Sequence, residues 1–351
     1  MSFRRSIRVL FLSDSHLGFG MPVRNGSIRK CRGDDFFRAF DEALKPALSG
    51  HVDVVVHGGD LFYRSRIPVW LSLEVLRRIK LLSNQGIPFC LVPGNHERSR
   101  VTHPILWEMD HVHVFAEPMT LELRLKGIIL SISGFPFYRG DIRRNFRTVV
   151  EKTGYNRKEA DIRILCMHHI VEGARVGPVG YRFNSGPQVI RGTDLPHHFS
   201  AVFAGHVHRH QILGNGSDRD RFPCTVVYAG STERTSFAER DETKGVIKAG
   251  FGLSKKGRGE LRYIDFCPVR TRRMYVRRLH IETDPDNVNA DIFSSLFDNV
   301  DGHGILRVEI SMPRSMESDY RRLCTQIHHM APVNLITEIR RRYNDSVIQS
   351  R

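Results

Sequence analysis

Five short clusters of Asp, His, Asn and Gly recur along the first two-thirds of the chain, each where an apolar run gives out. They read Asp14-Ser15-His16, Gly59-Asp60, Gly94-Asn95-His96-Glu97, His168-His169 and Gly205-His206-Val207-His208. An apolar run that ends in a polar, glycine-flanked cluster is the pattern of a buried strand leading into a functional loop. Residues 8–12 (RVLFL), 53–56 and 89–92 fit that description, and helical spacing of apolar residues over 34–48 and 69–82 places a helix after each of the first two. Strand, helix, strand, helix, strand is the rhythm of an α/β domain. Further strands are expected at 121–125, 128–132, 162–167, 201–204 and 225–228, with a long, weakly periodic loop over 172–195.

Side chains at i and i+2 of an extended segment point the same way, so Asp14/His16 and His206/His208 can each present two groups to one locus. Carboxylate, amide oxygen and imidazole suit manganese, iron or zinc, and thiolate is missing from these clusters. Gly58, Gly59, Gly94 and Gly205 permit tight turns and close backbone approach beside the donors. Together the donors suffice for two divalent ions side by side, an arrangement that breaks phosphate esters.

The chain's 351 residues allow one large domain with a smaller one, or two of medium size. Its 53 Lys and Arg against 38 Asp and Glu leave a charge of +15. That excess favours polyanionic partners, nucleic acid first and anionic membrane second, against the plainer reading of an ordinary basic soluble protein. Cys31, Cys90, Cys166, Cys224, Cys267 and Cys324 form no C-x-x-C pair and suit reduced core residues better than a disulfide framework. The opening MSFRRSIRVLFLSD reads as a first strand, because its apolar run is too short for a signal peptide and ends in an acid. No apolar stretch is long enough to span a bilayer. A cytoplasmic protein without membrane association is expected.

In this order, D-x-H, G-D, G-N-H-E, H and G-H-x-H are the motifs of the calcineurin-like metallophosphoesterases, which the chain resembles from about residue 8 to 228. More narrowly, GGDLFYRSRIP, LVPGNHE, ILCMHH, DLPHHFSAVFAGHVHRHQ and VVYAGSTER resemble the SbcD/Mre-eleven branch, nuclease subunits of DNA double-strand-break repair complexes. The resemblance implies an α/β fold, a calcineurin-like metallophosphoesterase β-sandwich flanked by helices over residues 1–266, followed by a small α+β cap domain over 267–351. It implies two divalent ions, Mn2+ foremost. Asp14, His16 and His208 would hold one, Asp60 would bridge, and Asn95, His168 and His206 would complete the second site. A hydroxide shared by the ions would be the nucleophile, and His96 would be a general acid or phosphate contact, not a ligand. Of the adjacent pair, His168 matches the family's strand-then-His pattern and His169 would face elsewhere. In nuclease members the position three after the bridging Asp is often a second phosphate-contacting His; here it is Tyr63, which can donate a hydrogen bond but no proton at neutral pH.

The activity implied is hydrolysis of DNA, as an exonuclease with single-strand endonuclease action in break repair. DNA would be the partner, with an SbcC-like ABC-type ATPase and a homodimer as further associations. The family's ATPase-binding segment usually follows the cap, where this sequence stops. Two alternatives stay open: a cyclic-nucleotide or other small-molecule phosphodiesterase or protein phosphatase of the same superfamily, and a catalytically weak DNA-binding repair scaffold. Arg270, Arg272 and Arg273, with Arg277 and Arg278, could line a DNA backbone or be a solvated face. Arg340, Arg341 and Arg342 read as a helix C-terminus complementing the macrodipole. His57 reads as a core residue behind the site. His111/His113, His197/His198 and His328/His329 read as structural or surface residues, and Glu97 as an orienter of His96 or an anchor of its loop. Glu233 and Arg234 read as a structural ion pair. The tail reads strand 275–281, helix 290–297, strand 305–310, helix 318–328.

Overall fold

Val54, Val55 and Val56 are fully buried, as the middle strand of a sheet covered on both faces requires. The computed structural model describes residues 6–20, 32–97, 109–157, 159–214, 221–281 and 290–343. In chain order these form β1 (Ser6–Leu12), α1 (Gly33–Leu48), β2 (Val54–His57), α2 (Val69–Asn84), β3 (Phe89–Leu91), β4 (Val112–Val114), β5 (Met119–Leu125), β6 (Ile128–Gly134), α3 (Ile142–Lys152) and β7 (Ile162–Met167). Four two-residue strands follow: β8 (Ile170–Val171), β9 (Arg175–Val176), β10 (Tyr181–Arg182) and β11 (Val189–Ile190). Then come β12 (Ala201–Ala204), β13 (Gln211–Leu213), β14 (Val226–Tyr228), β15 (Gly245–Leu253) and β16 (Gly259–Pro268).

Two six-stranded sheets result, ordered β16-β15-β1-β2-β3-β4 and β13-β14-β12-β7-β6-β5. The first is parallel from β1 to β4 and antiparallel at its β15–β16 margin, and the second has a parallel centre with antiparallel margins at β13 and β5. Their inner faces share one core in which Phe11 of β1 stacks on Phe203 of β12 at 4.5 Å, and the offset aromatic contact adds to area burial. Helices α1 and α2 cover the outer face of the first sheet through Phe36, Phe40, Leu44, Val75 and Ile79. Helix α3, capped by Asp141 accepting from the Arg144 N–H, covers the second through Phe146 and Val150.

Strand ends set the site. Leu12, His57 and Leu91 share one register row at the carboxyl ends of β1, β2 and β3, and Met167 pairs with Ala204 at the ends of β7 and β12. In α/β sheets the loops beyond such parallel ends are where ligands bind.

The contact pattern divides the chain into Met1–Thr271 and Arg272–Arg351. β16 runs through Phe266, where the sequence places the boundary, to Pro268. The second unit has parallel strands β17 (Met274–His280), β18 (Ile305–Met312) and β19 (Ile336–Tyr343), joined through α4 (Ala290–Ser295) and α5 (Tyr320–Met330). Its core gathers Leu279, Leu306, Val308, Ile310, Leu323 and Ile327.

Several expectations change. Arg340, Arg341 and Arg342 lie in β19, not at a helix terminus, because the segment pairs along its whole length with β18. The loop expected over 172–195 contains short paired strands and a helical turn at Gly192–Asp194. Strands β15 and β16, and helix α3, have no counterpart in the sequence reading. Cys31 lies outside the described residues; Cys90, Cys166, Cys224, Cys267 and Cys324 are free thiols. Among the described residues no helix is long and apolar enough to cross a membrane.

Candidate metal centre

The five clusters meet at one place. Asp14, Asp60 and Asn95 follow strands of the first sheet, and His168, His206 and His208 follow strands of the second. Asp14 and Asp60 are 0% and 2% exposed, and neither carboxylate pairs with a Lys or Arg among the described residues. Imidazoles face them instead. His168 Nε2 is 3.3 Å from Asp60 Oδ2 and 3.9 Å from Asp14 Oδ1. His208 Nε2 is 3.7 Å from Asp14 Oδ1, and His16 Nε2 is 3.9 Å from Asp60 Oδ2. Asn95 Oδ1 lies 3.1 Å from His168 Nε2 and 2.9 Å from His206 Nδ1. Three overlapping donor sets, Asp14/His16/His208, Asp14/Asp60/His168 and His16/Asp60/His96, each fall within 4.8 Å. Thus all seven expected ligands converge.

The backbone is bent to achieve this. Asp14, His16, Asp60 and His206 have φ of 53°, 44°, 54° and 80°, and they make up four of the seven non-glycine positive-φ residues among those described. Each such residue costs roughly 1–3 kcal/mol, which persists only where its surroundings over-determine it. Part of that determination is hydrogen bonding: Asp14 N donates to Gly59 O, His16 N to Asp60 O, and His206 N to both Asp14 carboxylate oxygens. The rest is space. A Cβ on Gly205 would fall 2.2 Å from Gly58 O, and one on Gly94 would fall 2.2 Å from Asp60 Oδ1.

The arrangement fits divalent cations on its own chemistry. His16 Nε2 and His208 Nε2 lie 3.0 Å apart. His208 turns its other nitrogen to Glu239 Oε1 at 3.2 Å, so Nε2 is the nitrogen that faces His16. Two imidazole nitrogens at that separation either share one hydrogen or take a positive charge between or beside them. Protons supply some of it. Burial lowers His168, but Asp60 and Asp14 outweigh burial and raise it to about 9. Burial likewise lowers His208, against the larger combined pull of Glu239 and Asp14. Burial raises Asp60, yet His168 holds it well below the carboxylate range. Asp14 is pushed up by burial. His16 and His206 are pushed down by burial, His206 to about 3, and so present neutral nitrogens.

His96 stands at the rim with Nε2 3.8 Å from Asp60 Oδ2, its N–H on Asp60 Oδ1 at 2.9 Å, and its Nδ1 on the Tyr63 carbonyl. The Tyr63 ring packs 5.5 Å from His96 and 6.0 Å from His16. Glu97 anchors the loops, not His96: it accepts from the N–H groups of Asp60, Phe62 and Gly94. His57 is buried behind the site between the Ser15 hydroxyl and the Gly59 N–H. His169 turns away and stacks on Phe137 at 4.7 Å. Glu233 takes the Arg32 guanidinium at 3.4 Å, while Arg234 reaches the carbonyls of Glu239 and Glu242. A cleft of about 370 Å³ opens from Asn95 and His206 past Phe137, Arg139 and Gln188.

Sequence reasoning missed Glu239 and Lys244, which lie behind His208; only the spacing after G-S-T-E-R could have hinted at them. Of the arginine run, Arg270 and Arg273 are exposed. Arg272 bonds the His303 carbonyl, Arg277 that of Asp298, and Arg278 pairs with Glu309 at 3.3 Å.

Buried neutral histidines make stability pH-dependent. Burial lowers His57 from 6.5 to about 3, and His206 likewise. The unfolded chain therefore binds more protons below pH 6.5, so stability present above that value is lost as pH falls toward 3. Each group contributes a slope of up to about 1.4 kcal/mol per pH unit. The thermal midpoint of metal-free protein is expected to drop from pH 6.5 to 5, because the lowered imidazoles of His16, His57, His169 and His206 outnumber the raised carboxyls of Glu97 and Asp14, which act in the opposite direction; a midpoint that rises over that range contradicts the buried neutral state.

A model of the family described as calcineurin-like phosphoesterase matches residues 7–210. Three proteins with the name DNA double-strand break repair protein Mre11 are similar. That of Methanosarcina mazei is 29% identical over 242 residues, 68% of this chain and 35% of its own. That of Haloferax volcanii is 30% identical over 238 residues, 67% of this chain and 47% of its own. That of Sulfolobus acidocaldarius is 24% identical over 319 residues, 87% and 75%. The chain thus spans about a third to a half of the length of the first two.

Proposed function

Because the chain belongs to the calcineurin-like phosphoesterases, a family of metal-dependent phosphoesterases, we propose that it hydrolyses phosphodiester bonds of DNA with two divalent ions, Mn2+ by preference. The observation that carries this reading is the convergence of Asp14, Asp60, Asn95 and the histidines 16, 168, 206 and 208 around two loci. Asp14, His16 and His208 would hold one ion and Asn95, His168 and His206 the other, with Asp60 placed to serve both. When bound, such a pair neutralises phosphoryl oxygens and makes water nucleophilic at neutral pH.

The chain's own residues do the rest. The Tyr63 carbonyl fixes the His96 ring through Nδ1, leaving Nε2 at the rim, where a leaving alkoxide oxygen needs a proton. His96→Ala is expected to lower turnover about 10²–10⁴-fold with Mn2+ affinity unchanged, measured by calorimetry beside kinetics. An equal loss of metal binding would make His96 a ligand instead.

The substrate assignment draws on the relatives' name, the +15 charge and the open cleft bordered by Arg139. Arg270 and Arg273 are the exposed cations best suited to DNA phosphates, and Tyr63 can donate a hydrogen bond to one. An SbcC-like ATPase, a homodimer and a cytoplasmic place of action belong to the same reading. The test is Mn2+-dependent digestion of labelled single- and double-stranded oligonucleotides. Intact DNA alongside hydrolysis of a small phosphodiester would keep the chemistry and reject the substrate. Genuine phosphate contacts also weaken steeply with salt.

A further inference from the structure

Lys244 is fully buried, and its ammonium reaches three acceptors: Glu239 Oε2 at 2.7 Å, Glu242 Oε2 at 2.9 Å and the His208 carbonyl at 2.9 Å. A charge with no solvent is costly to keep, and replacing such a group by an apolar one often stabilises a fold. Two of its three acceptors lead to a single imidazole, while the third, Glu242, also pairs with Arg209 at 3.2 Å. Glu239 Oε1 meets His208 Nδ1 at 3.2 Å and takes the Thr235 hydroxyl at 2.6 Å, while Oε2 takes the Ser231 hydroxyl at 3.3 Å. Lys244 thus grips His208 twice, at its backbone oxygen and through the carboxylate that meets its ring.

The other imidazoles differ. His168 and His96 rest their outer nitrogens on the carbonyls of Gly58 and Tyr63, and His16 Nδ1 has no partner among the described residues. A carboxylate behind a ligating imidazole fixes its tautomer and ring orientation and raises its basicity, which a carbonyl does less strongly.

We propose that Glu239, seated on buried Lys244, is a positioning residue that orients His208 and strengthens one of the two metal sites, the one formed with Asp14 and His16. This rests on the ligand reading above. Its prediction is site-specific: Glu239→Gln keeps an acceptor but loses the charge and the Lys244 pairing. One Mn2+ dissociation constant should rise about 10–100-fold, while the other moves by no more than about threefold.

The test is Mn2+ titration calorimetry on wild type and Glu239→Gln, with melting curves in chelator and in excess Mn2+. A purely structural ion pair would lower the melting point in chelator and leave the Mn2+-induced rise intact; positioning shrinks that rise, since ligand stabilisation follows affinity. Unchanged dissociation constants in Glu239→Gln, beside two-site binding in wild type, overturn the proposal alone. No Mn2+ binding by wild type overturns it together with the ligand reading. Should Glu239→Gln fail to fold, Ser231→Ala decides: it removes one hydroxyl from Glu239 Oε2 and is expected to weaken the same site several-fold, and equal affinity in that variant counts against Glu239.

Discussion

Asp60→Asn is expected to abolish hydrolysis to below about a thousandth of wild type, since several kcal/mol of charge stabilisation depend on the paired ions and each 1.4 kcal/mol is tenfold. Asp60 faces both halves of the centre, as Asp14 also does through His168 and His208, with its Oδ2 3.3 Å from His168, 3.8 Å from His96 and 3.9 Å from His16. An amide of the same shape keeps its Oδ1 as acceptor for the His96 N–H, so the fold should survive. The substitution removes one of two adjacent buried charges and with it the anion both cations would share. Calorimetry should then report one Mn2+ where wild type takes two. Residual turnover above about a tenth of wild type would exclude a bridging role.

Gly94→Ala is expected to damage both stability and activity with a single methyl group. Gly94 has an ordinary negative φ; the constraint is room. Its added Cβ would sit 2.2 Å from Asp60 Oδ1 and 2.5 Å from Asp60 N, and neither atom can yield cheaply, because Asp60 N is bonded to Glu97 Oε2 at 3.0 Å. Overpacking of this kind costs about 3 kcal/mol, and displacing a reacting group by an ångström can cost about 10²-fold in rate. Chemical denaturation gives the first figure and oligonucleotide turnover the second. A midpoint and turnover both within error of wild type would show that the loop after β3 is more plastic than its hydrogen bonds imply.

The parallel strands were legible because they are covered on both faces. Apolar runs such as VVV and ILCM end abruptly in polar clusters, so both the strand and the site announce themselves. The hairpin β15–β16 was not legible, although it completes the first sheet. Gly245, Gly250 and Gly252 lower the strand signal of β15, and the reason for Gly250 appears only on pairing: Tyr263 of β16 lies across it, with ring atoms 2.0 Å from where a Cβ would be. β19 was hidden by three consecutive arginines. Two of them are accounted for within the unit, Arg342 by Glu309 at 3.0 Å and Arg340 by Glu338 at 2.6 Å. Glu239 and Lys244 carry no local pattern beyond their spacing after G-S-T-E-R. Their meaning comes from a partner 31 and 36 residues away, a distance over which periodicity says nothing.

The donors straddle a seam. Four come from loops of one sheet and three from loops of the other, with Gly58 and Gly205 in backbone contact between them. A one-residue slip in either sheet turns its side chains to the opposite face, so a misregistered chain could not assemble the pocket even with every element formed. Cation uptake would therefore double as a proofreading signal for folding, because molecules whose two layers have mated incorrectly would bind none.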